Sequence, residues 1–243
     1  MMKQTALVTG ASGGIGQSIS EVLAKNGYDV LLHYHSNKEA AAGLAERLSA
    51  SFGVKASVIQ ADLSSPDGAK TLSRSVKQPV DALILNSGKS HFGLITDVTD
   101  DTAREMVQLH VTSPFLLARN LVPGMIRKKS GGIVAIGSVW GETGASCEVL
   151  YSMVKGAQHS FVKALAKELA PSGVRVNAVS PGAVDTNMLD QFTSDEKEAL
   201  AEEIPAGRLA RPEEIAEAAA FLLSDKASYI TGHILSVNGG WHC

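Results

Sequence analysis

The chain is expected to fold as an α/β protein built on a parallel sheet with helices on both faces. Three features of the sequence carry that expectation. Short apolar, β-branched runs alternate with longer amphipathic segments from end to end, glycines stand where the long segments should stop, and a glycine-rich turn joins the first short run to the first long one. Alternation of this kind means successive βαβ units, whose crossover helices remove both faces of the sheet from water.

In order, the strand candidates are residues 5–9, 30–33, 56–60, 82–86, 133–138, 174–179 and 234–237. Most read as nearly continuous apolar runs, as strands buried on both faces do. Between them, segments 15–26, 39–51, 67–76, 102–127, 152–170 and 212–224 repeat apolar residues at helical spacing. Gly27, Gly53 and Gly173 follow three of these segments, in the place of the residue that ends a helix. No linker, repeat or low-complexity tract interrupts the rhythm, so residues 1–243 are expected to form one domain.

Composition excludes several classes. A formal net charge of -3 with no block of Lys or Arg offers nothing to nucleic acid or to an anionic membrane, and Arg127, Lys128 and Lys129 read as a solvated helix end. No apolar run approaches the roughly 18 residues of a membrane span, and Met1-Met2-Lys3-Gln4-Thr5 leads into a strand rather than a signal segment, so a cytoplasmic protein is expected. Cys147 and Cys243 are too few and too scattered for a disulfide framework or a metal site, in keeping with a reducing compartment.

Two stretches carry chemistry. Thr9-Gly10-Ala11-Ser12-Gly13-Gly14-Ile15-Gly16 directly follows the first strand and opens the first helix. Glycines there allow a tight turn and a close approach to a pyrophosphate, while the helix start offers free N–H groups to its charge. The second stretch brings together Ser138, at the end of a strand, and Tyr151 and Lys155, four residues apart and so on one helix face. An ammonium beside a phenol favours the phenolate and lowers its pKa toward the working range of a general acid or base. A Tyr-x-x-x-Lys pair alone also occurs by chance on ordinary helices; the upstream glycine turn is what gives it weight.

Taken together, the turn Thr9 to Gly16, Asp62, Asn86 and Gly88, Ser138, Tyr151 and Lys155, Asn177 to Gly182, Thr186, and Val237-Asn238-Gly239-Gly240 give the whole chain a resemblance to the short-chain dehydrogenase/reductase family. It most resembles the 3-oxoacyl-(acyl-carrier-protein) reductase branch. That resemblance implies a Rossmann fold, a doubly wound parallel seven-stranded sheet of order 3-2-1-4-5-6-7, and hydride transfer between a nicotinamide and a ketone or secondary alcohol. Tyr151 would protonate the carbonyl oxygen, Ser138 would polarise it, and Lys155 would lower the Tyr151 pKa and bond the nicotinamide ribose. For the cofactor it implies Gly10, Ser12, Gly13, Gly14, Ile15 and Gly16 around the phosphates, and Asp62 and Leu63 at the adenine. Asn86, Ser87 and Gly88 would line the adenosine ribose, and Pro181, Gly182, Val184 and Thr186 would flank the nicotinamide.

At the end of the second strand, where a carboxylate would hold an NAD ribose, the chain reads His33-Tyr34-His35-Ser36-Asn37-Lys38. His35, Ser36 and Asn37 suit a 2′-phosphate, so NADP(H) is expected over NAD; Gly13 instead of the Arg of many NADP-linked relatives speaks against it, and simple surface exposure accounts equally well for His33 and His35. Other departures are Leu85 and Ser87 in the adenosine region and His110 where relatives carry a catalytic Asn. His110 would replace that Asn in a proton relay from Lys155, or merely fill its niche by bonding a backbone carbonyl.

Trp140, Glu142, Cys147, Glu148 and Val149 are expected at the substrate mouth, with residues 185–204 and their acidic helix 194–203 as a lid. The wording of residues 140–149 and of the tail 240–243 is similar to bacterial reductases acting on the 5-aminopentanone group on a lysine of elongation factor P. The expected ketone is thus borne by acyl carrier protein or by elongation factor P. A non-catalytic NADP(H)-binding regulatory module is the reading of another class, to which the intact Ser138, Tyr151 and Lys155 would be superfluous. The resemblance also implies a homotetramer formed through the long helices, although the small and apolar residues around segment 152–170 equally suit a covered internal helix.

Overall fold

The computed structural model describes residues 3–189 and 192–242. Seven parallel strands form one sheet: β1 (Thr5–Val8), β2 (Asp29–Tyr34), β3 (Ala56–Gln60), β4 (Ala82–Leu85), β5 (Gly131–Ile136), β6 (Val174–Pro181) and β7 (Ile234–Val237), in the order β3-β2-β1-β4-β5-β6-β7. The order reverses beside β1, between β1 and β4. A crevice opens there at the carboxyl ends of the strands, as in other doubly wound sheets.

Alternation along each strand divides the core. Ala6, Val8, Val30, Leu32, Ile84 and Val134 face α1 (Gly14–Lys25), α2 (Lys38–Phe52) and α9 (Pro212–Leu223), which contribute Ile19, Leu23, Leu44, Leu48, Ile215 and Ala219. Leu7, Leu31, Leu83, Ile133 and Val176 face the opposite layer, made by α3 (Gly68–Ser75), α5 (Ser113–Lys128) and α7 (Val149–Leu169). The period of two sends neighbouring strand residues to opposite layers, so each layer buries its own apolar set.

Most boundaries fall within one or two residues of expectation, and three differences bear on the site. The segment 102–127 is not one helix: α4 (Asp100–Val107) passes into a π turn, Gln108–Thr112, before α5 begins. One extra residue per ring leaves the apolar spacing on either side intact, so periodicity does not reveal it. Strand β5 ends at Ile136, and Gly137 and Ser138 lead out of it toward the short helix α6 (Trp140–Thr143). Helix α7 begins at Val149 rather than at residue 152, because the Ser152 hydroxyl accepts from Ala145 N at 3.1 Å instead of capping its own helix.

Helix α8 (Ser194–Glu203) occupies the acidic segment, closed at its start by a reciprocal capping box between Thr193 and Glu196. Gly53 ends α2 with φ +64°, a left-handed cap that a side chain would strain. Asp190, Gln191 and Cys243, which fall in the expected lid and tail, lie outside the described residues, as do Met1 and Met2. Among the described residues no helix is long and apolar enough to cross a membrane, and no group of side chains could hold a metal.

Candidate active site

A cleft of about 820 Å³ runs along the carboxyl ends of β1, β2, β4, β5 and β6. Its floor at one end is the glycine turn. Gly10 has φ +64°, and a Cβ on Gly16 would lie 2.2 Å from the Gly10 carbonyl oxygen, so only bare backbone fits where strand hands over to helix. Gly13 stands at the N-cap of α1; with no side chain it satisfies none of the first-turn N–H groups, and Gly14, Ile15 and Gly16 line the cleft there. An extended anion fits this concavity: open N–H groups, a positive helix end and no Cβ in the way.

The turn is held from behind by polar groups. Thr9 Oγ1 donates to the Ile84 carbonyl and accepts from Asn86 N at 2.8 Å and Ser87 N at 3.0 Å, tying β1 to β4. Asn86 Nδ2 donates to the carbonyls of Thr9 and Gly10 at 2.9 and 3.2 Å. His33 does the most unexpected work. Far from being a surface residue, it is 2% exposed; Nε2 donates to the Ala61 carbonyl and Nδ1 accepts from Gly10 N, both at 3.0 Å. Burial pushes its pKa down to about 4, so it stays neutral in this role. Sequence reasoning saw a polar residue at a strand end. The apolar neighbours Leu31 and Leu32 were the sign that this strand lies deep in the sheet.

Of the other expected cofactor contacts, Ser12, Gly13, His35, Ser36, Asp62, Leu63, Ser87, Gly88, Pro181, Gly182, Val184 and Thr186 line the same cleft. Asp62 Oδ1 accepts from the Ser64 amide and hydroxyl, which hold its carboxyl below the usual range, and lies 3.9 Å from His35 Nε2. Asn37 is not in the lining of the cleft; its side chain caps α2, accepting from Ala40 N at 3.0 Å.

Ser138, Tyr151 and Lys155 come together across the cleft from the turn. Ser138 follows β5, Tyr151 lies in the first turn of α7 and Lys155 one turn later; all three are buried to below a tenth of their surface. Ser138 stands beside the Tyr151 hydroxyl, close enough to lower its pKa, and accepts from Trp140 N at 3.2 Å. Lys155 Nζ donates to the Ile136 carbonyl at 2.8 Å and sits 5.5 Å from the centre of the Tyr151 ring.

The electrostatics correct one expectation. In the protein alone Lys155 does not make Tyr151 acidic. Burial, with the Glu148 carboxylate second, raises the phenol above its ordinary pKa and outweighs the lowering by Ser138, while burial drives Lys155 down to about 7. Desolvation is the leading cause at both groups, which are packed between helix and sheet.

His110 lies in the π turn, fully buried and outside the cleft lining. Its Nε2 lies 3.0 Å from the Lys89 carbonyl, its ring meets Tyr151 edge-on at 5.8 Å, and its pKa falls to about 3 through burial and then the Lys155 charge. A Cβ on Gly88 would lie 2.6 Å from its Cε1, so the glycine makes room for the ring. These contacts fit the niche-filling alternative; an imidazole so reluctant to take a proton is a poor relay at neutral pH. His110 Nδ1 has no hydrogen-bond partner among the described residues.

At the mouth, Trp140 and Glu148 line the cleft, joined by Phe92, Met188 and Trp241. Trp140 and Trp241 pack as a T-shaped pair with centroids 4.8 Å apart, which carries the tail to the mouth. Glu142 is not in the lining of the cleft; its carboxylate accepts from Ser180 Oγ of β6 at 2.5 Å. Helix α8 closes the far side with Glu196, Ala199, Leu200 and Glu203.

Comparison with known proteins agrees with this geometry. Residues 10–242 match the family model described as enoyl-(acyl carrier protein) reductase. The oxidoreductase YmfI of Bacillus subtilis (strain 168), described as uncharacterized, is 73% identical over 242 residues, covering 100% of both chains. The 3-oxoacyl-(acyl-carrier-protein) reductase FabG of Aquifex aeolicus (strain VF5) is 38% identical over 240 residues, covering 98% of this chain and 96% of that one. The angucycline C-6 ketoreductase LanV, whose crystal structure holds NADP, superposes with a TM-score of 0.92 at 29% identity over 97% of this chain and 94% of that one. Sheet order, glycine turn and the Ser138, Tyr151, Lys155 cluster thus have one explanation: the chain is an oxidoreductase belonging to the short-chain dehydrogenase/reductase family.

Proposed function

We propose that the protein is an NADP(H)-dependent ketoreductase that reduces a ketone carried on a larger molecule, of the 3-oxoacyl-(acyl-carrier-protein) reductase type. The observation that carries this reading is the meeting of the Ser138 and Tyr151 hydroxyls, backed by Lys155, in the cleft that begins at the uncapped start of α1. A pure nucleotide-binding module would have no use for that meeting. The preference for NADP(H) rests on His35 and Ser36 in the cleft, on the absence of an acid among residues 33–38, and on the NADP held by LanV.

When bound, the reduced nicotinamide supplies hydride to the carbonyl carbon. Backbone N–H groups of Gly14 to Gly16 would hold the phosphates, Asp62 and Leu63 would border the adenine, and Pro181 to Thr186, which line the same cleft, would flank the nicotinamide end. Ser138 and Tyr151 donate to the carbonyl oxygen before any charge develops there, which is where fixed donors contribute most. Burial keeps the Tyr151 phenol protonated until the oxygen becomes an alkoxide and takes that proton. The phenolate left behind is stabilised by the Lys155 ammonium, and a solvent proton reaches it through the open cleft.

A second reading has its own observation. Glu148 is partly buried at the mouth, its carboxyl raised by burial, beside the Trp140–Trp241 pair. A carboxylate among aromatic faces suits an amine-bearing ketone, such as the 5-aminopentanone group on a lysine of elongation factor P. The two readings separate in one assay: NADPH oxidation with a 3-oxoacyl group on acyl carrier protein and with the modified elongation factor. Turnover of the first alone, unaffected by Glu148→Gln, supports the acyl reading; turnover of the second, lost by at least about 10-fold in Glu148→Gln, supports the amine reading. A protein oxidising NADPH with neither substrate is not a reductase of tethered ketones.

The remaining expectations are proposals too: one domain, cytoplasmic, assembled as a homotetramer. Phe115 on α5 and Met153 on α7 are each about half exposed, and Phe115 contacts Phe161, so an apolar surface stands open along the two helices. Sedimentation should find four copies; a monomer at micromolar concentration would contradict the assembly.

A further inference from the structure

Gln158 stands seven residues after Tyr151 and three after Lys155, so the three side chains share one face of α7. It is 4% exposed, and a buried carboxamide must satisfy both a carbonyl oxygen and an NH2 group. It satisfies them on two different elements. Oε1 accepts from Lys155 Nζ at 3.3 Å, and Nε2 donates to the main-chain carbonyl of His110, in the π turn, at 2.8 Å. Lys155 is therefore held from two sides, by the Ile136 carbonyl at the end of β5 and by a side chain that is itself anchored across to the π turn.

We propose that Gln158 is a positioning residue for Lys155: its carboxamide bridges the ammonium to the π turn and fixes the ammonium at the distance from the Tyr151 ring that the proton transfer uses. This rests on the reading of Tyr151 and Lys155 as the proton-donating pair. It gives the π turn a task, since the break between α4 and α5 presents a carbonyl to the interior. It also puts a group that does not titrate on the inner side of Lys155.

The titratable surroundings of Lys155 are Tyr151 and His159 on its own helix and His110 from the π turn. Glu148 faces Tyr151, and Glu142 of α6 and Lys163 face His159, while Lys89 faces His110. None of these supplies Lys155 with the neutral acceptor that Gln158 does, and burial leaves its pKa at about 7.

The test compares Gln158→Leu and Gln158→Glu with the wild type, following kcat and KM for NADPH with a 3-oxoacyl thioester between pH 6 and pH 10, roughly the span from the Lys155 pKa to that of a free lysine. Leucine removes the acceptor: kcat should fall by about 10-fold or more with KM for NADPH nearly unchanged, and the alkaline limb of kcat/KM should move to lower pH. Glutamate offers a charged acceptor, so the same limb should move to higher pH. A residue that only fills space would shift neither limb, or both in one direction, and either result overturns the proposal.

A readout without turnover accompanies this one. Because the folded pKa of Lys155 lies below its unfolded value, the wild-type cofactor-free protein should melt at progressively higher temperature as pH rises from about 7 toward 10, a rise that Gln158→Glu should flatten. Equal slopes in the two proteins would overturn the bridge even if both are inactive. A wild type that reduces no ketone with either nicotinamide while its melting slope still depends on Gln158 would instead overturn the functional reading alone.

Discussion

An imidazole accepts a hydrogen bond at one nitrogen while donating at the other only in its neutral form, and His33 is used in that form to join the Gly10 amide to the Ala61 carbonyl. Its folded pKa of about 4 lies below the unfolded value of 6.5, so the unfolded state binds more protons between the two. Stability from this group is complete above about pH 6.5 and is lost as pH falls through about 4; His110, at about 3, acts in the same direction. Melting of the cofactor-free protein should therefore drop steeply between pH 6.5 and pH 4, and His33→Leu should shallow that slope. Lys155 is a stability cost kept for chemistry. Lys155→Met should raise the melting temperature, by roughly 2–4 °C for each kcal/mol of relieved desolvation, while removing activity. The task of His33 was not legible in the sequence, because a strand-end His reads as surface until its burial and partners are known, whereas for His110 the sequence left a relay and a niche-filling role open and the Lys89 contact fits the second. Ser138, Tyr151 and Lys155 were legible as a set because their spacing and the upstream turn agree.

At the scale of elements, the glycine turn shows how a motif becomes a shape. Gly16→Ala drives a Cβ to within 2.2 Å of the Gly10 carbonyl oxygen and 2.9 Å of Ala11 Cα, both backbone atoms that cannot swing away. Overpacking of this kind costs about 1–3 kcal/mol, and NADPH affinity should fall by at least about 10-fold because the turn itself must open. Gly13→Ala meets nothing nearer than 3.6 Å and should bind NADPH within about twofold of wild type. Fluorescence titration of the two variants checks the contrast; equal losses would mean that the turn does not work by close approach. Strand positions and helix α8 were legible from period and composition, whereas the π turn was not, since a single inserted residue leaves no apolar trace. Helix α7 starts at Val149, three residues before the apolar periodicity that begins at residue 152, and the Ser152 hydroxyl accepts from Ala145 N.

Across the whole molecule, the sheet order β3-β2-β1-β4-β5-β6-β7 came from family resemblance rather than from residue patterns, which specify that strands are parallel but not who neighbours whom. The order matters because it sets the crevice at the reversal beside β1, so the uncapped start of α1 and the first turn of α7 face one another across a single cleft. Everything proposed about function depends on the phenol at that meeting point giving its proton to a substrate oxygen. Single-turnover reduction of a 3-oxoacyl thioester by Tyr151→Phe, alongside NADPH binding by the same variant, addresses this without ambiguity. NADPH should bind within about threefold of wild type while the rate falls by at least about 10³-fold, the range expected when a positioned proton donor is removed. A variant that binds NADPH and reduces the thioester at close to the wild-type rate would take Tyr151, and with it the proposed chemistry, out of the protein.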